Sequence, residues 1–371
     1  MKKGFFIIVL LICISPLSAY RFLFDLTKHE DAGNADWVID DDWPYPYPDN
    51  PVADTAWHGA ISSWGYELYM MGHEVVTLPP WDSITYGNPE HELDLMYFDV
   101  FIIPEPQNPF SENEKQAILE FVANGGGLFL VADHNSSDRD QDGWDSPRVF
   151  NAVSPTLPDT ALLYGFGVDT IFGIHFNVTG EPSNYITDAP DSNVNDLPSD
   201  SIIFGEVGRV YAISYHVGTV MTLYPSYNPS VTAHVWKTDM PRDTTYVMFA
   251  TAEYGRGRVA AIGDSSPADD GTARPGNQHI YDGWREAGCD NRVIFLNASL
   301  WLAKGSSPIK ERNGNSFRID VESDYDIFSV TGRKVFTGKL GVLYHLNLKS
   351  GVYLLKSREN PNKTARIIIL K

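Results

Sequence analysis

The stretch from residue 97 to residue 134 constrains the fold more than any other part of the sequence. Residues 97–104 and 128–132 are two apolar runs, each of which predicts a buried β-strand. Between them, Ser111 and Glu114 have the spacing of a capping box, which predicts the start of a helix. Glycines at 125–127 predict its end. Continuous apolar strands separated by helices are typical of a parallel sheet that is covered on both faces.

The rest of the chain up to residue 305 extends this pattern. Further strands are predicted at 22–26, 73–78 and 259–263, and helices at 53–71 and 292–303. The sequence therefore predicts the α/β class, with a flavodoxin-like, three-layer domain built on a parallel sheet. After residue 315 the pattern changes to short strands separated by turn residues, which predicts a small all-β sandwich.

The N-terminus has the three zones of a cleavable secretory signal. Lys2 and Lys3 precede an apolar run from Gly4 to Ile14, and small residues follow up to Ala19. The apolar run is shorter than the roughly twenty residues that a membrane-spanning helix needs. We therefore expect a signal peptide at 1–19, a main domain at 20–304, a linker at 305–315 and a β domain at 316–371. We expect no transmembrane segment after cleavage and a location outside the cell or on its surface.

The charge of the chain is unevenly distributed. The chain holds 28 basic and 48 acidic residues, but residues 306–371 hold 12 basic and 6 acidic ones. Residues 20–305 are consequently strongly acidic, and such a surface repels nucleic-acid phosphates. We expect no direct nucleic-acid binding, whereas divalent cations suit this surface.

Two parts of the chain resemble known families. The tail, with its motifs at 325–334 and 348–353 and its basic C-terminus, resembles the C-terminal sorting domain of the type IX secretion system. That resemblance implies export by a secretion machinery; an ordinary β accessory domain is the alternative. Residues 97–133, together with 255–259 and 300–303, resemble the class I glutamine amidotransferase-like superfamily, and within it the trehalose-utilisation-type branch.

The main domain departs from that superfamily at the position that matters most. The amidotransferases carry a catalytic cysteine on a turn after a sheet strand, but Cys289, the only cysteine outside the signal, is not near such a turn. Asp133 and His134 follow one predicted strand instead, and Asp264 follows another. The sequence therefore excludes cysteine-based amide hydrolysis.

Acidic and imidazole side chains follow several predicted strands. In an open parallel sheet, ligands bind beyond the carboxyl ends of the strands, and carboxylates that gather there repel one another unless a cation or protons neutralise them. We predict catalytic roles for Asp25, Asp133, His134 and Asp264. The predicted ligands of a divalent cation, calcium or zinc, are Asp25, His29, Asp133, His134, Asp138, Asp140, Asp142 and Asp264.

The segment from Asp138 to Gly143 matches the first half of a calcium-binding loop. Its twelfth position, where a carboxylate is expected, is Val149, so a solvated acidic turn is the alternative. Three other histidines lie in strand-like runs and are predicted to be satisfied within the core or at a sheet edge: His175, His216 and His234.

Two functions fit these observations. The first is a secreted or cell-surface metal-dependent hydrolase acting on a glycan or another polymer, in which a metal polarises the substrate and activates water. The second is a non-catalytic, calcium-stabilised surface protein that binds carbohydrate. Several aromatic side chains lie in the predicted loops: Trp37, Trp43, Tyr45, Tyr47, Trp81, Trp144 and Trp284. In either function these rings stack on sugar rings; the alternative is that they fasten the loops to the domain.

Overall fold

The computed structural model describes residues 19–40, 56–151, 165–273 and 281–305 of the main part of the chain. It also describes residues 324–329, 334–339, 351–358 and 364–369 near the C-terminus. The chain divides into two compact units, residues 1–310 and 311–371. The predicted signal up to residue 18, the predicted linker after residue 305 and the aromatic residues at 43, 45 and 47 lie outside the described residues.

Nine of the described strands form the main sheet. They are β1 (Arg21–Asp25), β2 (Glu74–Leu78), β3 (Val100–Pro104), β4 (Gly127–Val131), β5 (Ile174–Phe176), β8 (Met221–Leu223), β9 (Thr232–Trp236), β10 (Val247–Tyr254) and β11 (Gly257–Ile262). Their order is β2-β1-β3-β4-β11-β10-β8-β5, with β9 paired to β10. Two further strands, β6 (Ile186–Asp191) and β7 (Ile213–Gly218), pair only with each other.

The main sheet is mixed, whereas the sequence predicts a parallel one. Strands β2, β1, β3, β4 and β11 are parallel, in the pattern of a flavodoxin-like sheet. From β11 onwards each pairing is antiparallel. For β10 and β11 the reason is the tight turn between them, since two strands joined by a short hairpin can pair only in antiparallel fashion. Gly255 adopts a positive φ of 61° in that turn. The predicted α/β class is confirmed.

Helices cover both faces of the sheet. They are α1 (Ser62–Met70), α2 (Glu112–Ala123), α3 (Ser146–Phe150), α4 (Val168–Ile171) and α5 (Asn291–Gly305). On one face, Trp64 of α1 lies edge-on to Phe24 of β1 and to Phe295 of α5, with ring centroids 5.2 Å and 4.8 Å away. On the other face, Ile118 and Phe121 of α2 pack against buried residues of the same sheet. The domain therefore has three layers, with one hydrophobic core on each side of the sheet.

Two of the predicted helix starts have different outcomes. The capping box is confirmed, because the Glu114 amide donates to the Ser111 hydroxyl and the Ser111 amide donates to the Glu114 carboxylate. The helix predicted from residue 53 begins only at Ser62 within the described residues. The Ile61 amide bonds to the Val38 carbonyl of the preceding loop, 3.2 Å away, so the segment before Ser62 is tied to that loop.

The described strands of the C-terminal unit form one antiparallel sheet. They are β12 (Asp324–Ser329), β13 (Lys334–Lys339), β14 (Gly351–Ser357) and β15 (Thr364–Ile369), in the order β13-β12-β14-β15. The predicted sandwich is not confirmed, and the predicted strands at 317–321 and 344–348 lie outside the described residues.

None of the described helices combines the length and the apolar character that crossing a bilayer requires.

Candidate functional site

Four neighbouring parallel strands deliver a carboxyl group to the same edge of the sheet. Asp25 ends β1, Glu105 follows β3, Asp133 follows β4 and Asp264 follows β11. None of these residues is more than 3% exposed. Burial of so many acids requires protonation or nearby positive charge, because an isolated buried carboxylate is strongly disfavoured.

An arginine supplies the positive charge at the centre of this edge. Arg139 donates from Nε and Nη2 to the Glu105 carboxylate, and from Nη2 to Asp133 Oδ2 at 2.8 Å. Burial opposes the charge of the guanidinium, but Glu105 and Asp133 outweigh it and place the pKa of Arg139 above its ordinary value. The Arg139 amide donates to Gln107 Oε1 at 2.8 Å, which fixes the loop that carries it.

Sequence reasoning missed this arginine. The available signal was its position as the lone basic residue between Asp138 and Asp140 in an acidic loop. An internal guanidinium can neutralise carboxylates as a metal ion would, and its planar fork suits two acceptors at once. The sequence predicted that a metal ion supplies the positive charge at this edge. At Glu105 and Asp133 the positive charge comes from Arg139 instead.

Glu105 lies at the start of the turn after β3. Its φ is 50°, in the left-handed region that non-glycine residues seldom adopt. Burial and the charge of Asp133 raise the pKa of Glu105 to about 7, although Arg139 and the hydrogen bond from Ser265 act in the opposite direction. Ser265 Oγ donates to Glu105 Oε2 at 2.6 Å, which links the turn after β3 to the turn after β11.

Asp133 orients the imidazole of His134. His134 Nδ1 lies 3.0 Å from Asp133 Oδ1, while Asp133 Oδ2 is held by Arg139. Burial lowers the pKa of His134, but the hydrogen bond and the charge of Asp133 prevail and raise it. The ring of His134 stands edge-on to Tyr185 at 4.8 Å, and Tyr185 is 63% exposed. Among the described residues, none forms a hydrogen bond to Nε2 of His134.

Asp264 is held by main-chain groups on both sides. Its two oxygens accept hydrogen bonds from the amides of His216 and Ser266. Burial, followed by the charge of Asp133, raises the pKa of Asp264 to about 8. Asp133 and Asp264 therefore form an interacting pair.

Asp25 interacts with a different group of residues. Its Oδ1 accepts from Thr27, while Lys28 beside it pairs with Glu114 at 2.6 Å. Burial raises the pKa of Asp25 to about 6. Glu30, also fully buried, has its pKa raised by burial and by the charge of Asp25. Within the described residues, Asp25 Oδ2 and Glu30 Oε1 have no hydrogen-bond partner.

The acidic loop after β4 brings three carboxylates together. One oxygen each of Asp138, Asp140 and Asp142 lies within 4.8 Å of the others, and this is the one group of possible metal ligands among the described residues. His29 Nδ1 lies 3.1 Å from Asp140 Oδ2 at the same loop. Val149, at the twelfth position of the calcium-loop pattern, is buried within α3 and offers no ligand.

The structure therefore separates the predicted site residues into three groups. Asp133, His134 and Asp264 meet at the ends of β4 and β11, Asp25 lies with Glu30 and Lys28, and His29 joins the loop of three aspartates. Asp133 and Asp264 both use their two oxygens to accept hydrogen bonds from protein groups. The role of each residue stays a prediction.

Of the four candidate sugar-binding aromatic residues that the structure describes, three are buried. Trp37, Trp144 and Trp284 are at most 6% exposed and fasten their loops to the domain, whereas Trp81 is 65% exposed. The exposed ring beside the carboxylates is that of Tyr185, which the sequence analysis did not single out.

Comparisons with known proteins found structural likenesses only. The chain matches no protein-family model and no curated protein. It is similar to the mmIFT52 N-terminal domain, with 13% identity over 76% of this chain and 97% of that one and a TM-score of 0.42. It is similar to a ThuA-like protein from Parabacteroides merdae, with 12% identity over 78% and 92% and a TM-score of 0.39. A beta-galactosidase from Rahnella sp. R3 shares 13% identity over 81% of this chain but 34% of that one, with a TM-score of 0.36. Likenesses at this level carry no argument about activity, and the α/β class rests on the strand order itself.

Proposed function

We propose that the main unit is a hydrolase in which Asp133 and His134 activate a water molecule. The observation that supports this is the orientation of the imidazole: Asp133 accepts from Nδ1, 3.0 Å away, and leaves Nε2 without a protein partner in the described residues. In this tautomer the lone pair of Nε2 can take a proton from water, as a general base does. Such a base typically contributes about 10²–10⁴-fold to the rate.

Arg139 fixes Asp133 in the position that this role needs. The guanidinium lies 2.8 Å from Asp133 Oδ2 and holds this oxygen in a charge-assisted hydrogen bond. The Asp133 carboxylate in turn stabilises the imidazolium that forms when His134 has accepted the proton. The Glu105 carboxyl holds the other side of the guanidinium, so a chain of buried groups fixes the base.

We further propose a divalent cation at the loop of Asp138, Asp140 and Asp142, and calcium rather than zinc. Carboxylate oxygens are the ligands that calcium prefers, whereas zinc sites are rich in imidazole and thiolate. Repulsion within the loop supports a cation, since burial and then the charges of Asp140 and Asp138 raise the pKa of Asp142. Because Arg139 lies within this loop, a cation there would stabilise the segment that holds Asp133.

The proposed substrate is a glycan or another polymer outside the cell. The exposed ring of Tyr185 beside His134 offers a face on which a sugar can stack. The N-terminal pattern and the resemblance of the tail to a type IX sorting domain support export to the cell surface or beyond. On the resemblance of residues 97–133, we propose that the main unit is related to the trehalose-utilisation-type branch.

The proposal is tested with the purified chain on a panel of polysaccharides and nucleic acids. We expect hydrolysis of a polysaccharide, and a loss of kcat of about 10²-fold or more in His134→Gln and Asp133→Asn. His175→Gln is the matched control, since its imidazole also pairs with a carboxylate, Glu181 at 2.8 Å. A wild-type chain that is inactive on every substrate, or a fully active His134→Gln variant, would contradict the proposal.

The second candidate is a non-catalytic, calcium-stabilised protein that binds carbohydrate. The clustering of three carboxylates within 4.8 Å is the observation that favours it, since a structural ion needs no reaction. Under this alternative, calcium raises the melting temperature of wild type but not of Asp140→Asn, and oligosaccharides bind without being cleaved.

A further inference from the structure

A cavity of about 470 Å³ lies at the opposite edge of the sheet from the candidate base. It is formed by the beginning of β11, the last turns of α5 and the loop between β6 and β7. Arg258 is the second residue of β11, and Asp264 follows the end of the same strand, about 20 Å away at the usual rise per residue. The cavity is therefore separate from the group of Asp133, His134 and Asp264.

Arg258 supplies a fixed positive charge to this cavity. Its guanidinium lies over the Trp301 ring, 4.7 Å from the centroid, and Nη1 donates to the Trp301 carbonyl at 2.7 Å. Gly305 leaves room for this approach, since a Cβ there would lie 2.5 Å from the Arg258 Cδ. Among the described residues, none accepts a hydrogen bond from Nε or Nη2 of Arg258. The guanidinium is thus held in place while it retains donors for a ligand.

A second wall of the cavity comes from the loop between β6 and β7, which a buried asparagine of α5 holds in place. The Asn297 Oδ1 accepts from the Val207 amide at 3.0 Å. Its Nδ2 donates to the carbonyls of Ile202 and Gly208, both at 2.9 Å. Phe204, which lines the cavity, lies between these contacts in the sequence. The wall is therefore fixed before a ligand binds, which lowers the entropy cost of binding.

The charge of the cavity is opposite to that of the unit around it. The main unit is strongly acidic as a whole, yet the charged residues in the lining are two cations, Arg258 and Lys304, and one acid, Glu206. Arg209 adds a further cation next to the lining, with its guanidinium 4.7 Å from the centroid of the Phe204 ring. This local excess of positive charge favours an anionic ligand.

We propose that this cavity binds a small sugar that carries an anionic group, either a carboxylate or a phosphate. The anionic group pairs with the remaining donors of Arg258, since a guanidinium fork matches both kinds of group. The lining combines the rings of Phe204 and Trp301 with polar groups such as Ser201, which suits a ring that carries hydroxyl groups. The volume is within the range of about 300–1,000 Å³ that is usual for small-ligand sites. The site uses neither His134 nor a metal, so it is independent of the proposed hydrolase.

A purely structural role of Arg258 is the alternative. It satisfies a carbonyl in the last turns of α5, as basic side chains near the C-terminus of a helix often do. That contact uses one of its nitrogen atoms and does not explain the cavity beside it. Two other charged residues of the lining separate the alternatives: Lys304 pairs with Glu206, and their side chains are 47% and 55% exposed. Because both are exposed, each can be replaced without disturbing the fold, and the two replacements change the charge of the cavity in opposite directions.

The test is isothermal titration calorimetry of the full chain with glucuronate, glucose 6-phosphate, inorganic phosphate and glucose. We expect one of the two anionic sugars to bind more tightly than inorganic phosphate, and glucose not to bind detectably. The two anionic sugars distinguish a carboxylate ligand from a phosphate ligand. Arg258→Gln should weaken binding about tenfold or more, because a charge-assisted hydrogen bond is lost. Lys304→Gln should weaken it about two- to fivefold, and Glu206→Gln should strengthen it by a similar factor.

Arg256→Gln is the matched control, because Arg256 donates to the Asn124 carbonyl at the end of α2, on the other face of the sheet, and its loss should leave the affinity unchanged. Absence of saturable binding of both anionic sugars up to about 10 mM would overturn the proposal, and so would glucose that binds as tightly as they do. Inorganic phosphate that binds as tightly as the anionic sugars would overturn the role of the sugar ring. If Arg258→Gln does not fold, Lys304→Gln and Glu206→Gln decide: opposite shifts in affinity support the site, and unchanged affinities exclude it.

Discussion

Replacement of Arg139 by methionine removes the positive charge between two buried carboxylates. The arginine side chain is 12% exposed, and those of Glu105 and Asp133 are at most 5% exposed. Methionine fills a similar volume without charge, so the variant leaves both acids without their cation. The perturbation is therefore electrostatic rather than a loss of packing.

The magnitude follows from the cost of an unpaired buried charge. Removing one partner of a buried ion pair costs about 3–5 kcal/mol, and here one guanidinium serves two carboxylates. We expect Arg139→Met to lower the free energy of unfolding by about 4–5 kcal/mol at pH 8. Glu105, whose pKa is about 7 even beside Arg139, is protonated at pH 5. At pH 5 the decrease in the free energy of unfolding caused by Arg139→Met should therefore be only about 2 kcal/mol, because less unpaired charge remains.

Urea denaturation of wild type and variant at both pH values measures this difference. Arg242→Met is the control: its guanidinium lies 3.5 Å from Asp196, and both side chains are well exposed. Such a surface pair should contribute about 0–1 kcal/mol. Adding Glu105→Gln to Arg139→Met should recover part of the loss at pH 8. A loss below about 1 kcal/mol at pH 8, or an equal loss at both pH values, would refute the reasoning.

Three further predictions concern the same unit. The free energy of unfolding should fall from pH 5 to pH 8. The reason is that acids with a raised pKa in the folded state, such as Asp264 at about 8, hold protons in this pH range that the unfolded chain has released. Asp264→Asn should flatten this slope in urea titrations, and an unchanged slope contradicts the raised pKa of Asp264. Val217→Gly should raise the free energy of unfolding by about 1 kcal/mol, because it relieves the backbone strain of a φ of 70°. Val131→Gly, at an ordinary strand position, should lower it. Equal losses of stability in thermal melts of the two variants would exclude strain at Val217. Ser111→Ala should cost about 1 kcal/mol through loss of the helix cap, measured by urea denaturation, and no loss would show that the cap is dispensable.

Local patterns were sufficient to predict several elements of the fold. The capping box at Ser111, the apolar strands at 97–104 and 128–132 and the closing helix follow from contacts between residues near one another in the chain. The position of Asp133, His134 and Asp264 at strand ends followed from the same patterns, since a side chain after a buried strand must emerge at the sheet edge. Local patterns did not reveal the antiparallel half of the sheet, because strand direction depends on how distant segments pair.

The sequence by itself determined that acidic side chains and the imidazole of His134 follow the parallel strands of an α/β sheet. The tertiary structure alone decided which groups neutralise them: Arg139 reaches Glu105 from 34 residues away, and Glu286 reaches His216 from 70. Such pairings depend on the relative positions of loops that sequence spacing does not encode. Whether a buried acid is ionised, protonated or paired depends on the groups around it, and those groups come together only in the folded chain.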